Sequence, residues 1–534
     1  MDIAHSIGQK LLLAFEGKEP SPEIVAALQD YRPGGLTLFR SLNIDNPTQV
    51  RHLTDSLQHL ARNFNLPPLL IATDQEGGQL MAVGEGTTPL PGNMALGAVG
   101  SVELAQKAGE VLGQELAAMG INVNYAPVCD VNINPQNPVI GTRSFGEKPG
   151  DVARLTGAMI KGLQANGVAA TAKHFPGHGD TDGDSHYGLL SVPHNLERLH
   201  QVELPPFLAA IEANTKMVMI AHLALFAIDG PDAPPATLSR NILQRLLRDE
   251  LGFDGVIVTD AMDMKAIHQG EALGEDAVRA AAAGADLLLL TSNPGDQRRV
   301  YESLLAALQS GALDLELVVD SVERILSLKH WLAGNPQPDL SVVGCAAHQA
   351  VAAEIAERSI TLVRNNIDLL PLRLNPEQRI ATIVSKPVDL TPADTSSYIT
   401  PGLAVALRQY HPNVDEYIIS YAPEAQEMAN LIQRLRDYDM LILGTLNAYA
   451  SPAQAELVRQ TLKLDIPTIV AALRLPYDLT AFPEVKTFVC TYSILKPSMQ
   501  ALAKAMLGKI AFRGRLPVSI PGLYAAGYAE VGFL

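Results

Sequence analysis

The sequence predicts an α/β protein in which a (β/α)8 barrel is followed by a second α/β sandwich domain. In roughly the first 330 residues, short apolar runs alternate with longer amphipathic stretches, as strands and helices would. Polar residues directly follow several of these runs. A polar stretch broken by prolines, Asn335–Asp339, then precedes a second set of apolar runs. We therefore expect the barrel at residues 1–333, a linker at 334–345 and the second domain at 346–534.

Eight apolar runs in the first part are the candidate barrel strands: Leu11–Phe15, Gly35–Phe39, Leu69–Thr73, Asn122–Pro127, Ala169–His174, Met217–His222, Gly255–Asp260 and Asp286–Thr291. Helical patterns lie between several of them, for example Val102–Met119, Asp151–Asn166 and Glu275–Gly284. Strands and helices that alternate eight times predict a parallel barrel of the TIM type.

Six further runs predict the strands of the second domain: Ile360–Arg364, Arg379–Ser385, Val414–Ser420, Met440–Leu446, Pro467–Leu473 and Thr487–Tyr492. Helical patterns accompany them at Ala346–Ser359, Ala425–Asp437 and Ala453–Leu464. This alternation predicts an open, mostly parallel sheet. No G-x-G-x-x-G follows its first strand, so the sequence does not support a dinucleotide site.

Composition narrows the class of protein. The net charge of −17 and the pI near 5.2 argue against binding nucleic acid through a basic face. Cys129, Cys345 and Cys490 lie far apart, so we expect free thiols in a reducing compartment. The N-terminus lacks a signal-peptide pattern, and no apolar run reaches the ~20 residues that span a bilayer. We expect a cytoplasmic protein with no membrane or nucleic-acid partner, and the sequence leaves the oligomeric state open.

Consecutive candidate strands of the barrel end in polar residues: Asp74, Asp130, Lys173 with His174, His222 and Asp260. Packing alone does not explain apolar strands that repeatedly end in this way. The carboxyl ends of barrel strands converge on one rim, where enzymes of this architecture hold their functional groups. The pattern therefore favours a catalytic site over charges that merely mark the strand boundaries.

The fifth of these strands continues into a loop, Lys173–Leu190, with the sequence KHFPGHGDTDGDSHYGLL. Its composition is that of a catalytic loop that leaves a buried strand. Gly177, Gly179 and Gly183 permit positive φ and a close approach to a ligand. We expect the loop to move and to bring His186 fully into the site when substrate is bound.

A metal site is the alternative interpretation of this loop. Its possible ligands are His174, His178, His186, Asp180, Asp182 and Asp184. The loop begins like a calcium-binding loop, but Ser185 and Ser191 occupy the positions that need Gly and Glu. We therefore expect no metal, and we expect the middle of the loop to stabilise its own turns.

Several stretches can be compared with a known family: Ala72–Gly78, Asp130–Gly146, the loop Lys173–His186 and Gly255–Met262. In order and spacing they resemble family 3 glycoside hydrolases, in particular the β-N-acetylglucosaminidases of that family. The loop pattern K-H-F-P-G-H-G-D-x-x-x-D-S-H is the most specific element. Glu357–Asn365 and Gly514–Pro521 agree, so the resemblance covers nearly the whole chain.

The resemblance implies a retaining, exo-acting enzyme that removes terminal N-acetylglucosamine from small glycosides, such as cell-wall fragments or chitin oligomers, and that needs no cofactor. It implies that Asp260 is the nucleophile and that His186, paired with Asp184, is the acid/base. It also implies a set of residues that bind the sugar hydroxyls: Asp74, Arg143, Lys173 and His174.

The chemistry suits these residue types. A retaining glycosidase needs a carboxylate under the anomeric carbon and a proton donor for the leaving oxygen. An imidazole can be that donor because its pKa of ~6.5 lies near the operating pH. Asp184 and His186 point the same way in extended backbone, so the carboxylate can orient the ring. A neutral histidine does not repel phosphate as a carboxylate would, so a phosphorylase is an alternative to a hydrolase.

Other interpretations stay open. A β-glucosidase or β-xylosidase of the same fold, a metal-dependent barrel hydrolase and a non-catalytic sugar-binding protein are the alternatives, although the last would need neither Asp260 nor His186. Arg143 could instead form a structural salt bridge. The family usually has arginine after Gly78, where this chain has Gln79, and any pairing of that arginine with an acid is then lost.

Overall fold

The structure, a computed structural model, describes residues 3–185, 187–192 and 194–530. Within these residues, eight parallel strands form the barrel of the first domain. In chain order they are β1 Leu11–Leu13, β2 Gly35–Thr37, β3 Leu70–Thr73, β4 Val123–Asn124, β5 Ala169–Phe175, β6 Met217–Ile220, β7 Val256–Thr259 and β8 Leu288–Leu290.

The barrel strands pair in chain order, and β8 returns to pair with β1. A parallel bridge between Val258 of β7 and Leu287 joins the two remaining edges. The strands are buried throughout because one face packs inside the barrel and the other against helices. The interior is filled by apolar side chains that include Leu12, Leu70, Val123, Met219, Val258 and Leu289.

Helices connect the barrel strands, and their starts follow ordinary capping rules. Ser101 accepts a hydrogen bond from Leu104 N at the first turn of Val102–Ala118, and prolines begin Pro47–Asn63 and Pro294–Ser310. The other described helices of this domain are Ile3–Gln9, Pro22–Asp30, Arg40–Asn43, Asn93–Val99, Pro149–Gln164, Leu196–Arg198, Pro205–Glu212, Phe226–Asp229, Ala272–Ala283, Leu315–Ala333 and the π-helical Leu199–Glu203 and Asn241–Glu250.

The second domain is built on another sheet. Its described strands are β9 Thr361–Asn365, β10 Ile380–Ser385, β11 Val414–Ile419, β12 Met440–Thr445, β13 Thr468–Ala472 and β14 Thr487–Cys490. Their order is β9-β14-β13-β12-β10-β11, with β9 antiparallel to β14 and the others parallel. The helices are Ala346–Ser359, Leu403–Arg408, Ala425–Leu435, Pro452–Leu462 and Lys496–Met506. Because β10 lies between β11 and β12, the chain changes direction there, and such a switch point opens a crevice at the carboxyl ends of the strands.

The predicted fold class is confirmed, and each predicted apolar run of both domains contains a strand. Two short pairings were not predicted. Gln75–Gly77 pairs with Leu80–Met81 in a hairpin, and Leu190–Val192 pairs in parallel with Leu223–Leu225. Runs of two or three residues give no periodicity to detect. The limits predicted for the two domains and the linker stay a prediction.

The sulfur chemistry agrees with the sequence. Cys129 and Cys490 are buried, Cys345 is half-buried, and all of these thiols are free. Among the described residues, the longest apolar helices still fall short of what a membrane crossing requires.

Candidate active site

A cavity of about 600 Å³ opens at the carboxyl ends of the barrel strands. This volume is in the usual range for small-molecule sites. The predicted site residues that line it are Asp74, Arg143, Lys173, His174 and Asp260. At the ends of the strands, the fold therefore brings together predicted site residues that lie up to 186 positions apart in the sequence.

A network of charged side chains occupies one side of the cavity. Lys173 Nζ lies 2.6 Å from Asp74 Oδ1 and 2.7 Å from Glu76 Oε1. Arg143 donates to both oxygens of Glu76, at 3.0 and 2.8 Å. The side chains of Glu76, Arg143 and Lys173 are only 2–3% exposed, whereas that of Asp74 is 24% exposed. Asp74 is thus the member of the network that is most open to a ligand.

Charge balance keeps this network ionised. Burial alone would raise the pKa of Glu76, but Arg143 and Lys173 lower it to about 2. Burial alone would lower the pKa of Lys173, but Asp74 and Glu76 raise it above its ordinary value. Two carboxylates therefore face two cations, and the network can donate and accept hydrogen bonds without changing its own protonation.

His174 is held by a buried carboxylate. Its Nδ1 lies 2.7 Å from Asp130 Oδ2, and Asp130 also accepts the backbone N–H of His178 at 2.6 Å. Burial would raise the pKa of Asp130, but His174 and His178 lower it. Asp130 thus acts through His174, whose Nε2 lies 3.4 Å from an Arg143 nitrogen. Arg143 forms the salt bridge considered in the sequence analysis and also lines the cavity.

Asp260 directly follows β7 and is half-buried. Its backbone N–H donates to Ile220 O at 3.0 Å, and its Oδ1 accepts Ala261 N–H at 2.8 Å. His222, at the end of β6, is fully buried, and its Nε2 lies 3.0 Å from Ala261 O. These contacts fix the backbone that carries Asp260, so His222 supports the strand end and does not itself contact the cavity.

Tyr125 was not predicted as a site residue, although it lines the cavity. Its hydroxyl and that of Thr37 are 2.8 Å apart. Burial raises the pKa of Tyr125, and the charges of Asp74 and Asp260 raise it further. The phenol therefore stays protonated between the two carboxylates that the strand ends bring to the cavity.

The catalytic-loop candidate is held by neutral hydrogen bonds. His178 Nε2 lies 3.1 Å from Ser185 Oγ, and its Nδ1 lies 2.9 Å from Thr181 Oγ1. Burial lowers the pKa of His178 to about 4, so the ring is neutral at pH 7. His178 and Ser185 both line the cavity. The prediction that His178 stabilises the turns of the loop is thus consistent with its contacts.

The predicted acid/base pair is described only in part. Asp184 is 8% exposed, and its carbonyl accepts the N–H of Tyr187 at 3.0 Å. His186 lies outside the described residues. The described neighbours Ser185 and Tyr187 both line the cavity, so the chain runs along its wall on either side of that position.

The second domain supplies part of the cavity wall through a loop that follows β10. This second-domain loop, residues 389–398, contributes Asp389, Thr391, Pro392, Ala393, Asp394, Thr395 and Tyr398 to the cavity lining. Tyr398 is 54% exposed, and the Arg40 guanidinium lies 4.1 Å from its ring centroid. The sequence had given no role for the second domain, and no local signal marks this loop as part of the site.

One group of described side chains could hold a metal: Asp180, His194 and Glu203. Arg198 Nη2 lies between the two carboxylates, 3.1 Å from Asp180 and 3.2 Å from Glu203. His194 Nε2 lies 2.7 Å from Asp180. The guanidinium of Arg198 thus already pairs with both carboxylates, and these contacts join the middle of the loop to the segment that contains His194 and Glu203.

Comparison with known proteins gives consistent results. Residues 3–328 match the Glycosyl hydrolase family 3 N terminal domain. The chain is 33% identical to beta-hexosaminidase A of Pseudoalteromonas piscicida, with 96% of each protein covered. It is 30% identical to a beta-N-acetylglucosaminidase/beta-glucosidase of Cellulomonas fimi, covering 84% of this chain and 83% of that one.

A solved structure resembles both domains together. It is a glycoside hydrolase family 3 beta-N-acetylglucosaminidase from Paenibacillus sp. str. FPU-7, which superposes with a TM-score of 0.92 at 39% sequence identity. The superposition covers 97% of this chain and 98% of the other. The similarity therefore extends over the barrel, the second sheet and the wall that the second domain adds to the cavity.

Proposed function

This chain belongs to glycosyl hydrolase family 3, and from that premise we propose that it is a retaining, exo-acting β-N-acetylglucosaminidase. It would remove terminal N-acetylglucosamine from small glycosides. The observation that carries the proposal is the convergence of Asp260 with the Asp74–Lys173–Glu76–Arg143 network in one cavity. The names of the relatives supply the preference for N-acetylglucosamine.

We propose that the charged network binds the hydroxyls of the terminal sugar. Asp74 accepts hydroxyl protons, since its carboxylate is the most exposed of the network. Lys173, Arg143 and His174 lie beside it and offer N–H donors. Their fixed ion pairs orient these donors before the sugar arrives, which reduces the entropy lost on binding.

Asp260 is the proposed nucleophile. A lone pair of its carboxylate attacks the anomeric carbon, a bond forms between that carbon and Oδ, and the bond to the leaving oxygen breaks. In the second half, a water oxygen attacks the same carbon and releases the Asp260 carboxylate. The hydrogen bond from Ala261 N–H favours the charged carboxylate in both halves.

His186, oriented by Asp184, is the proposed acid/base. In the first half it gives a proton to the leaving oxygen, and in the second half it takes one from the attacking water. The hydrogen bond between His178 and Ser185 holds the chain next to this pair. The reaction uses no cofactor.

Release of p-nitrophenol from the β-N-acetylglucosaminide tests the proposal. Asp260→Asn is expected to lower kcat by at least about a thousandfold, because the amide cannot form the glycosyl ester. Asp254→Asn, at the exposed opposite end of the same strand, is the matched control and should keep the parent rate. Parent-like turnover by Asp260→Asn would refute the assignment.

Two further arms of the same assay address the alternatives. Added phosphate should leave the rate unchanged and yield no sugar phosphate; formation of N-acetylglucosamine 1-phosphate would identify a phosphorylase instead. The p-nitrophenyl β-glucoside should be a poorer substrate, and equal kcat/KM for both glycosides would replace the proposed preference by a β-glucosidase activity. An active enzyme excludes a non-catalytic sugar-binding protein, and activity that survives EDTA excludes a metal-dependent hydrolase.

We also propose the natural setting. The substrates are short, such as cell-wall fragments or chitin oligomers, because a walled cavity holds a chain end better than the middle of a polymer. Free thiols fit a reducing, cytoplasmic compartment. The domain limits at residues 1–333 and 346–534 belong to the same proposal.

A further inference from the structure

Gln79, in the turn of the short barrel hairpin, binds polar groups of both domains. Its side-chain oxygen accepts from Thr142 Oγ1 at 2.6 Å and from the guanidinium of Arg474. Its amide nitrogen donates to Ala393 O at 3.2 Å. Its backbone carbonyl accepts from the N–H and the hydroxyl of Thr395, at 2.8 and 2.9 Å. Among the described residues, Gln79 thus makes three of the four hydrogen bonds between the hairpin and the second-domain loop, and Met81 makes the fourth.

Arg474 completes this contact from the second domain. It lies just beyond β13 and is 6% exposed. Its Nη1 donates to Asp394 at 2.8 Å and to Ser396 Oγ at 3.2 Å. Asp394 also accepts the backbone N–H groups of Leu390 and Ser396, which closes the loop on itself. Because a guanidinium presents its donors in a fixed fork, the same group holds the loop and Gln79 together.

The residues on both sides of the contact between Gln79 and Arg474 adjoin residues that line the cavity. On the barrel side, Thr142 directly precedes Arg143, which pairs with Glu76. On the other side, Thr395 lines the cavity, and its hydroxyl accepts Met81 N–H at 3.2 Å. Replacing the Gln79 side chain would therefore remove its bonds to Ala393 and Arg474 and, at the same time, a support of the arginine turn at Thr142, while the backbone bonds to Thr395 remain.

The placement of the loop follows from the topology of the second sheet. Residues 389–398 follow β10, the strand at which the chain changes direction. In open α/β sheets the crevice at this point is where ligands bind. Here the crevice faces the barrel, and Arg474 beyond β13 reaches across it to the loop.

We propose that Gln79 and Arg474 are positioning residues that fix the second-domain loop against the Glu76–Arg143 pair and thereby set how tightly the cavity closes on the terminal sugar. This inference rests on the proposed function, because its effect is read as sugar binding. Gln79 and Arg474 lie behind Thr395 and Arg143 and act through them. They affect substrate affinity and leave the chemical step at Asp260 unchanged.

The first test replaces each side chain by the apolar residue closest to it in shape. Gln79→Met and Arg474→Met should each raise KM by about tenfold, since each removes hydrogen bonds with a charged partner, while kcat changes by less than about twofold. The double variant should be no worse than the more affected single one, because the two residues share one contact.

The second test uses charge. Gln79→Arg places two guanidinium groups together and should raise KM at least as much as Gln79→Met. The exchange variant Gln79→Arg/Arg474→Gln restores one cation and one amide across the same contact, and KM should return towards the parent value. Gln79→Glu keeps both acceptor contacts but loses the bond that the amide donates to Ala393 O, so its KM should lie between those of the parent and Gln79→Met.

Matched controls separate positioning from stability. Gln58 bonds with its side chain to Leu69 N and O, and Arg324 pairs with the buried Asp286, both away from the cavity lining. Gln58→Met and Arg324→Met should lower the midpoint of thermal unfolding but leave KM unchanged. Circular dichroism of every variant checks that it is folded before kinetics are measured.

The outcomes are distinct. Unchanged KM in both single Met variants, or a double variant whose KM change equals the product of the single changes, would overturn the inference. So would an exchange variant that is worse than Gln79→Arg alone. If the parent itself cleaves no N-acetylglucosaminide, the proposed function fails instead, and that result is obtained before any Gln79 variant is compared.

Discussion

The barrel and the second domain each bury charged side chains beyond the carboxyl ends of parallel strands, but the two groups differ in charge balance. In the barrel, Glu76 meets both Arg143 and Lys173, and its pKa falls to about 2. In the second domain, Asp478 is fully buried, and burial raises its pKa to about 7. Its oxygens accept from the Thr445 hydroxyl at 2.6 Å and from the backbone N–H of Tyr449 at 3.2 Å, and none of the described cations forms an ion pair with it, so the charge of Arg474 offsets burial only in part.

The two domains therefore differ in whether the buried carboxylate stays ionised near neutral pH. A buried carboxylate that contacts two cations stays ionised over the whole working range of pH. A buried carboxylate with only dipolar partners takes up a proton near neutrality. The Glu76 carboxylate thus keeps its charge over the working range of pH, whereas the second-domain group makes stability depend on pH.

Removing the negative charge of Glu76 from the barrel network should have the largest effect on stability. Glu76→Gln leaves Arg143 and Lys173 with fewer negative partners, and we expect the free energy of unfolding to fall by about 3–5 kcal/mol. The loss should be constant from pH 5 to pH 8, because the contribution of Glu76 is present above its ordinary pKa and is lost only as pH falls through about 2. Urea denaturation measures both quantities.

The matched control is Glu354→Gln, which removes an exposed ion pair with Arg358. Its side chains are 38% and 47% exposed, so we expect a change below about 1 kcal/mol. Equal destabilisation by the two substitutions would show that the buried network is not the stabilising element described above.

The contribution of Asp478 to stability should be the next largest, and its dependence on pH should be opposite to that of Glu76. Its pKa is raised from 3.8 to about 7, so its contribution is full below pH 3.8 and is lost as pH rises through 7. The parent should therefore lose up to about 4 kcal/mol of this contribution between pH 4 and pH 8. Asp478→Asn stays neutral and should show a correspondingly smaller loss in urea denaturation.

Asp465→Asn, at an exposed position of the same domain, serves as the control and should follow the parent at each pH. Parallel pH profiles for the parent and Asp478→Asn would mean that Asp478 is ionised in the folded protein, and the contrast between the two domains would then disappear.

His178 should have a smaller effect on the pH dependence of stability. Its pKa is lowered from 6.5 to about 4, so the unfolded chain binds a proton before the folded protein does as pH falls. Stability should fall by up to about 3 kcal/mol between pH 7 and pH 4 because of this residue. His178→Gln should flatten that part of the profile, while His59→Gln at an exposed position should not. An unchanged slope in His178→Gln would contradict the neutral ring.

Thr142→Val should have the smallest effect, about 1 kcal/mol, because it removes one neutral hydrogen bond to Gln79 Oε1, which still binds Arg474. Thr142→Ser keeps the hydroxyl and should be close to the parent in urea denaturation. A larger loss in the Ser variant than in the Val variant would show that the methyl group, and not the hydrogen bond, is what matters.

The sequence predicted what periodicity and strand ends can reveal. The barrel strands repeat an apolar pattern. Asp74 and Asp260 directly follow their strands and Lys173 lies near the end of its own, so all three converge at one rim of the barrel. Glu76 was quoted in a motif but given no role, because its pairing with Arg143 spans 67 positions. That contact depends on how two loops fold and not on either local pattern.

The contribution of the second domain could not be predicted for a related reason. The contact between Gln79 and Ala393 joins residues 314 positions apart, and it depends on how the two domains pack. Neither residue type is distinctive at its place in the sequence. In the loop at residues 389–398, the charged and aromatic residues are Asp389, Asp394 and Tyr398, and the other positions are small polar or apolar residues. This composition is common in surface loops and does not indicate a site.

The pairing order of the barrel has one more consequence. Asp74 follows the third strand and Asp260 the seventh, so they face each other across an eight-stranded ring. Their separation is set by the diameter of the ring, which depends on strand number and stagger. Changes in the loops can therefore alter what surrounds a sugar bound as proposed, while the distance between Asp74 and the proposed nucleophile Asp260 stays fixed by the architecture.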